Sequence, residues 1–201
     1  MSAPTSTRHW DPLPADFYRG TTLETARDLL GRVLVHRHED GLLAGRIVEV
    51  EAYHQDGDQA AHSYGGPTNR NRVMFGPPGH LYVYLIYGIH FCMNVVTETD
   101  GTGAAVLIRA LEPLEGEARM QQFRGARVTR RNLTNGPGKC CQAFAIDRRF
   151  DGIDLRRGPI ELLQGEPVPD SAITSGPRIG ITKSADLPWR FWLEGNPFVS
   201  R

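Results

Sequence analysis

The sequence predicts a β-rich α+β domain, and three observations carry that expectation. Residues 47–53, Ile-Val-Glu-Val-Glu-Ala-Tyr, alternate with the period of two that marks a half-buried strand. Residues 81–87 and 90–96 are dense in β-formers on either side of Tyr87-Gly88-Ile89, the pattern of a hairpin whose tip carries Tyr87. Short helical stretches separate the strand-like runs, with no strand–helix–strand rhythm of a parallel sheet. A length of 201 residues fits one domain. Residues 1–16 read as an N-terminal arm containing Pro12 and Pro14, and residues 17–201 as the domain itself.

Each element has its own signal. Residues 22–31 read as a short helix: Thr21 or Thr22 can cap it, Leu23, Ala26, Leu29 and Leu30 recur at helical spacing, and Gly31 stops it. A strand starts at Val33. In residues 47–53 the alternation puts Ile47, Glu49, Glu51 and Tyr53 on one face and Val48, Val50 and Ala52 on the other, so the apolar face packs inward and both carboxylates look into a cleft. Residues 104–111 make a further strand, and residues 112–122 read as helix. Later β-like runs fall at 160–163, 178–181 and 191–193.

Composition narrows the function classes. Apolar residues make up 40% of the chain, but none form a run near the roughly 18 to 20 needed to cross a bilayer, and residues 1–9 lack the apolar core of a secretory signal. A soluble, cytoplasmic protein is expected. Cys92, Cys140 and Cys141 lack a C-x-x-C spacing, which argues against a disulfide framework and against a zinc or iron–sulfur site. Net charge is zero, yet between Arg119 and Arg149 eight Arg or Lys residues face one acid, Asp147. A basic face on a neutral protein attracts phosphate through its local potential, although a solvated Arg-rich surface has the same composition.

Several residues are candidates for chemistry. Glu49 and Glu51 have the spacing of paired glycosidase carboxylates and equally that of an ion-paired or solvated strand face. Tyr53, His62 and Tyr84 are π faces able to hold a flat heteroaromatic ligand, where each stacked base is worth about 1 to 3 kcal/mol; singly, each also fits an ordinary core role. Tyr82 and Tyr84 share one strand face, and Tyr87, at an odd separation, should not line the same wall. A ring on a hairpin tip either folds back on its own strands or wedges into a base stack. Arg70 and Arg72, between Asn69 and Asn71, suit phosphate contacts. Lys139, in Gly136-Pro137-Gly138-Lys139, lacks the full nucleotide-loop pattern, so it is grouped with Arg70 and Arg72 as a DNA-backbone contact. No metal-binding or acyl-enzyme motif is present, so neither a metal nor a cofactor is expected.

The most specific stretches are Gly45-Arg46-Ile47-Val48-Glu49-Val50-Glu51-Ala52-Tyr53, Ala60-Ala61-His62-Ser63 and Leu81-Tyr82-Val83-Tyr84 running on to Cys92-Met93-Asn94. With Arg109-Ala110-Leu111-Glu112-Pro113, Gly136-Pro137-Gly138-Lys139 and Arg178-Ile179-Gly180-Ile181, they make the chain resemble the alkyladenine DNA glycosylase family along nearly its whole length. The resemblance implies a single α+β domain on a curved, mostly antiparallel sheet with peripheral helices and a protruding β-hairpin. It implies a monofunctional, cofactor-free enzyme that flips a damaged purine from duplex DNA and hydrolyses its N-glycosidic bond, leaving an abasic site. The substrates would be 3-methyladenine and 7-methylguanine, with hypoxanthine and ethenoadenine as further candidates.

By the same resemblance Glu51 is the general base, Arg109 lies near the attacking water, and the backbone carbonyl of Ile181 is the water's third contact. Tyr53 would stack on one face of the flipped base, with His62 and Tyr84 on the other. Tyr87 would be the intercalating wedge, and Asn94 would disfavour normal guanine. One carboxylate suffices for a base that is already a cationic leaving group, which leaves Glu49 a structural role. A nucleoid-associated monomer with no membrane or obligate protein partner is expected. Two rivals from other classes are a non-catalytic binder of damaged DNA, which needs Tyr87, Arg70 and Arg72 but not Glu51, and an O-glycoside hydrolase, which needs both Glu49 and Glu51 in the cleft and shows no salt-dependent DNA affinity.

Overall fold

Strand-forming sequence dominates, and it is assembled around one long central strand. The computed structural model describes residues 9–200. In chain order the elements are α1 (Thr22–Leu29), β1 (Val33–His38), β2 (Gly41–His54), β3 (Leu81–Ile86), β4 (His90–Val96), β5 (Ala104–Glu115), α2 (Glu117–Arg124), α3 (Pro137–Ala143), β6 (Ile160–Leu163), β7 (Ile173–Gly176) and β8 (Arg190–Leu193). The strands form one curled antiparallel sheet of eight, ordered β3-β4-β5-β2-β1-β6, with β8 joining β2 to β7. The α+β class, the antiparallel sheet and the hairpin expected from sequence are all present. The expected arm over residues 1–16 falls partly outside the described residues; from His9 on, Trp10 packs against Val33, Val35, Ala44 and Leu163, and Pro12 bridges to Leu163.

β2 is held along both edges. β5 pairs with one, while β1 takes residues 41–46 and β8 takes residues 49–51 of the other. Ile47, Val48, Glu49, Val50, Glu51 and Ala52 are therefore all fully buried, so the face carrying the carboxylates is as buried as the apolar one, and the expectation that both carboxylates look into a cleft fails for Glu49. The simple alternation also breaks. Ile47 pairs with Leu111, Glu49 with Ala110 and Val50 with Ile108, so the register slips at Val48 and at Arg109. Such a bulge re-aims side chains, here the carboxylates and the arginine that the site uses.

The helix start follows local chemistry. The Thr21 hydroxyl accepts from the Glu24 amide (3.3 Å) and the Glu24 carboxylate accepts from the Thr21 amide (3.1 Å), a reciprocal capping box. Ala26 and Leu29 turn into the main core, and Gly31, two residues past the end, takes φ +84°.

Two assignments differ from the sequence expectation. Residues 112–115 are not helix: they continue β5, with Arg46, Gly45 and Ala44 opposite Glu112, Pro113 and Glu115. Ladder pairing to β2 outweighs the helical preference of these residues. The chain then turns at Gly116, and α2 runs only from Glu117 to Arg124. Residues 178–181 are irregular, and the strand lies earlier, at Ile173–Gly176. Pro177 cannot donate to a ladder, and the polar groups after it are drawn into the site described below. The helix α3 begins with proline at its first turn, where a missing N–H costs nothing; the sequence reading left this segment without an element.

Gly116 adopts φ +79°, and a Cβ there would meet the Leu42 carbonyl and Leu43. Gly116→Ala is expected to destabilise the domain by at least about 1 to 2 kcal/mol, read as a lower denaturation midpoint in urea with an unchanged slope.

Candidate active site

The C-terminal end of β2 meets β5, the β3–β4 hairpin, the start of α3 and the loop 177–181 around a cavity of about 390 Å³. Its lining includes Glu51, Tyr53, His62, Tyr84, Asn94, Arg109 and Ile181, so the structure brings together every residue put forward from sequence as catalytic or base-binding. Glu49 is not in the lining.

The two carboxylates are separated by their partners. Glu49 accepts from Arg109 Nε (3.1 Å), Arg190 Nε (2.6 Å), the Ser200 amide (2.6 Å) and the Ser200 hydroxyl (2.8 Å). Every direction around it is occupied by protein. Glu51 accepts from the Ile179 amide on Oε1 (2.7 Å) and from the Tyr53 hydroxyl on Oε2 (2.8 Å), with Arg109 Nη1 3.2 Å from Oε2. A carboxylate offers about four acceptor sites, and three donors engage this one, so acceptor capacity remains on a group that lines the cavity. Burial works against the Arg109 charge, but Glu51 and Glu49 more than offset it and raise its pKa above the usual guanidinium value.

Aromatic walls complete the cavity. Tyr82 and Tyr84 stack with centroids 5.4 Å apart and planes at 29°, and the His62 ring meets Tyr84 edge-on at 4.5 Å. His62 Nδ1 lies 3.1 Å from the Tyr82 hydroxyl. Loss of solvation and the nearby Arg70 charge lower the His62 pKa, which favours a neutral ring at neutral pH. Burial, then the charge of Glu51, raises the Tyr53 phenol, which stays protonated and donating. Asn94, opposite Tyr82 in the hairpin, is buried and donates to the Tyr82 carbonyl (3.2 Å).

Tyr87 requires a correction. Strand parity placed it off the wall shared by Tyr82 and Tyr84, yet it borders the same cavity. It has left the strand: Tyr87 at φ 53° and Gly88 at φ 71° form a three-residue turn between paired Ile86 and His90. A bulky residue in left-handed backbone is strained, and strain of this kind concentrates at functional sites. Tyr87 is 80% exposed and Ile89 73%, so the tip is an uncovered apolar point. Arg70 lies 5.8 Å over the Tyr84 ring, and Arg70 and Arg72 are both exposed without an ion pair among the described residues. Lys139 stands apart from the cavity, donating to Asn135 (2.8 Å).

The resemblance pointed to one backbone group of the loop 177–181, the Ile181 carbonyl, but the Ile179 amide was missed, as were the roles of Asp58, Arg190 and Ser200. A backbone amide has no signature in sequence. For Arg178 the signal was present but was read as part of a strand. Among the described residues no cluster of three His, Cys, Asp or Glu side chains is placed to hold a metal, and no helix is long and apolar enough to cross a membrane.

Comparison with known proteins gives the family of the chain. The family model described as "Methylpurine-DNA glycosylase (MPG)" matches residues 16–197. A protein of Methanoculleus marisnigri named "Putative 3-methyladenine DNA glycosylase" is 54% identical over 192 residues, covering 94% of this chain and 98% of its own length. Proteins of the same name from Carboxydothermus hydrogenoformans (50% over 190 residues, 94% and 98% covered) and Chlorobaculum parvum (48% over 189 residues, 94% and 90% covered) are similar over the same extent. With the family model spanning all but the two ends and half of the residues shared with such relatives, the chain belongs to the methylpurine-DNA glycosylase family.

Proposed function

We propose that this protein excises alkylated purines, 3-methyladenine and 7-methylguanine first among them, from duplex DNA by hydrolysing the N-glycosidic bond. The observation that carries the reading is Glu51: a buried carboxylate fixed by three donors, with acceptor capacity left on the cavity it lines. A fixed carboxylate in that position orients and deprotonates a water, with the Ile181 carbonyl as a further contact and Arg109 neutralising local charge. General-base assistance of this kind contributes about 10²- to 10⁴-fold.

The walls fit the leaving group. A purine alkylated at N3 or N7 is cationic, and the rings of Tyr53, Tyr84 and neutral His62 attract it without repelling its charge. The base enters only if it leaves the helix, and Tyr87 at the strained, exposed tip is the side chain suited to fill the gap in the stack. Arg70, Arg72 and Lys139 are assigned to phosphates, and Asn94 to rejecting the exocyclic amine of normal guanine. Neither Lys139 nor Lys183 lines the cavity, so strand cleavage through a Schiff base is not part of the proposal and the product is an abasic site.

Release of free base from duplex oligonucleotides containing 3-methyladenine or 7-methylguanine tests the reading. Glu51→Gln is expected to slow single-turnover release by about 100-fold or more; an unchanged rate rejects the mechanism. Tyr87→Ala is expected to slow excision by about 10-fold or more with an unaltered melting temperature, because the side chain supports no core. Equal rates for Tyr87→Ala and the native protein would remove the wedge assignment.

A further inference from the structure

We propose that the buried Asp58–Arg178 ion pair is the positioning element of this site, setting the plane of Tyr53 and the placement of the Ile179 amide on Glu51 through one interaction. The inference rests on the reading in which Tyr53 stacks on the base and Glu51 activates water. Both side chains of the pair are fully buried, and their contact is a fork: Arg178 Nη1 to Asp58 Oδ2 at 2.6 Å and Nη2 to Oδ1 at 2.7 Å. Nη1 also donates to the Ala52 carbonyl (2.9 Å), the residue between Glu51 and Tyr53, and Nη2 donates to the Ser184 carbonyl (3.2 Å). Asp58 in turn accepts from the Ala60 amide at 3.0 Å.

The fork has two neighbours that matter for chemistry. Its guanidinium carbon lies 4.6 Å from the centroid of the Tyr53 ring and 5.4 Å from that of Trp189. Arg178 does not line the cavity whereas Tyr53 does, so the cation backs the ring from the protein side. One residue along the chain, the Ile179 amide donates to Glu51 Oε1 at 2.7 Å. The platform and the base are thus braced by consecutive residues of one loop, and that loop is irregular backbone with Gly180 at φ 78°.

A buried ion pair adds little net stability over apolar side chains of the same volume. What it supplies here is direction. A guanidinium held bidentately is fixed in orientation, here with its carbon 4.6 Å from the Tyr53 ring centroid; an ammonium in the same place keeps the charge but loses the fork. Arg178 is accordingly a positioning residue, acting through Tyr53 and Glu51 rather than on the substrate.

Single-turnover release of 7-methylguanine from a duplex is measured for the native protein, Arg178→Lys, Tyr53→Leu and the double variant, alongside affinity for undamaged duplex. Arg178→Lys is expected to lose about 10- to 100-fold in rate, while undamaged-duplex affinity stays within about twofold because phosphate contacts elsewhere dominate it. The double variant is expected to fall short of the product of the two single losses by about 10-fold, a coupling that a merely structural defect would not produce. A folded Arg178→Lys that works at the native rate overturns the proposal, and so do losses that multiply. If Arg178→Lys shows no cooperative melting transition, Asp58→Asn/Arg178→Gln, which removes both buried charges together, is read by the same criteria. No release by the native protein overturns both this inference and the reading it rests on; a working native protein beside an equally fast variant overturns this inference alone.

Discussion

Two carboxylates, Glu49 and Glu51, sit two residues apart on a strand with no exposure to solvent, and the rest of the molecule is arranged to make that tolerable. An isolated buried charge costs far more than a domain's net stability can absorb. Arg109 and Arg190 bring the matching positive charge, the first from β5 and the second from β8, which pairs directly with the strand carrying both acids. Ser200, close to the end of the chain, closes the remaining directions around Glu49. Removing one member of such a network leaves an unpaired charge and costs about 3 to 5 kcal/mol. Sheet pairing, the bulge at Arg109 and the docking of the C-terminal residues therefore all serve one electrostatic condition.

That condition also distributes the labour between the two acids. Glu49 is surrounded by protein donors and anchors the fold, whereas Glu51 engages three donors and keeps a face toward the cavity. In the proposed role of general base, Glu51 needs its direction fixed before substrate arrives, because reorganisation during a reaction adds to the barrier. The donors that fix Glu51 come from three places: β2 itself through Tyr53, β5 through Arg109 and the loop 177–181 through Ile179. Tyr53 belongs at once to the carboxylate's support and to the cavity wall, so the position of the carboxylate and the shape of the wall are coupled by a single side chain.

Much of this was legible in sequence where the signal is local. The helix cap at Thr21, the hairpin around Gly88 and the strands at 33–36, 81–86, 90–96 and 160–163 follow from residue type and spacing over a few positions. Glu51, Tyr53, His62 and Tyr84 were readable from residue type within one short stretch, whereas Asn94, Arg109 and Ile181 came only from the family resemblance. Residues 112–115 misled because Glu and Leu favour helix while the neighbouring strand offers a ladder that only exists once the chain has folded. Tyr87 misled because parity holds only while the backbone stays extended, and at φ 53° it does not.

By itself the sequence determined the fold class, the central strand and which side chains could carry chemistry, since period, capping and turn residues act between near neighbours. Tertiary structure alone decided that Glu51 borders the cavity and Glu49 does not, that Arg109 lies between them, and that Asp58 and Arg178 back the Tyr53 ring. These contacts join residues 58 to 151 positions apart, from Glu51 with Arg109 to Glu49 with Ser200. Their existence depends on a register slip, a loop path and the energetic demand that buried charge be paired, none of which leaves a periodic trace along the chain.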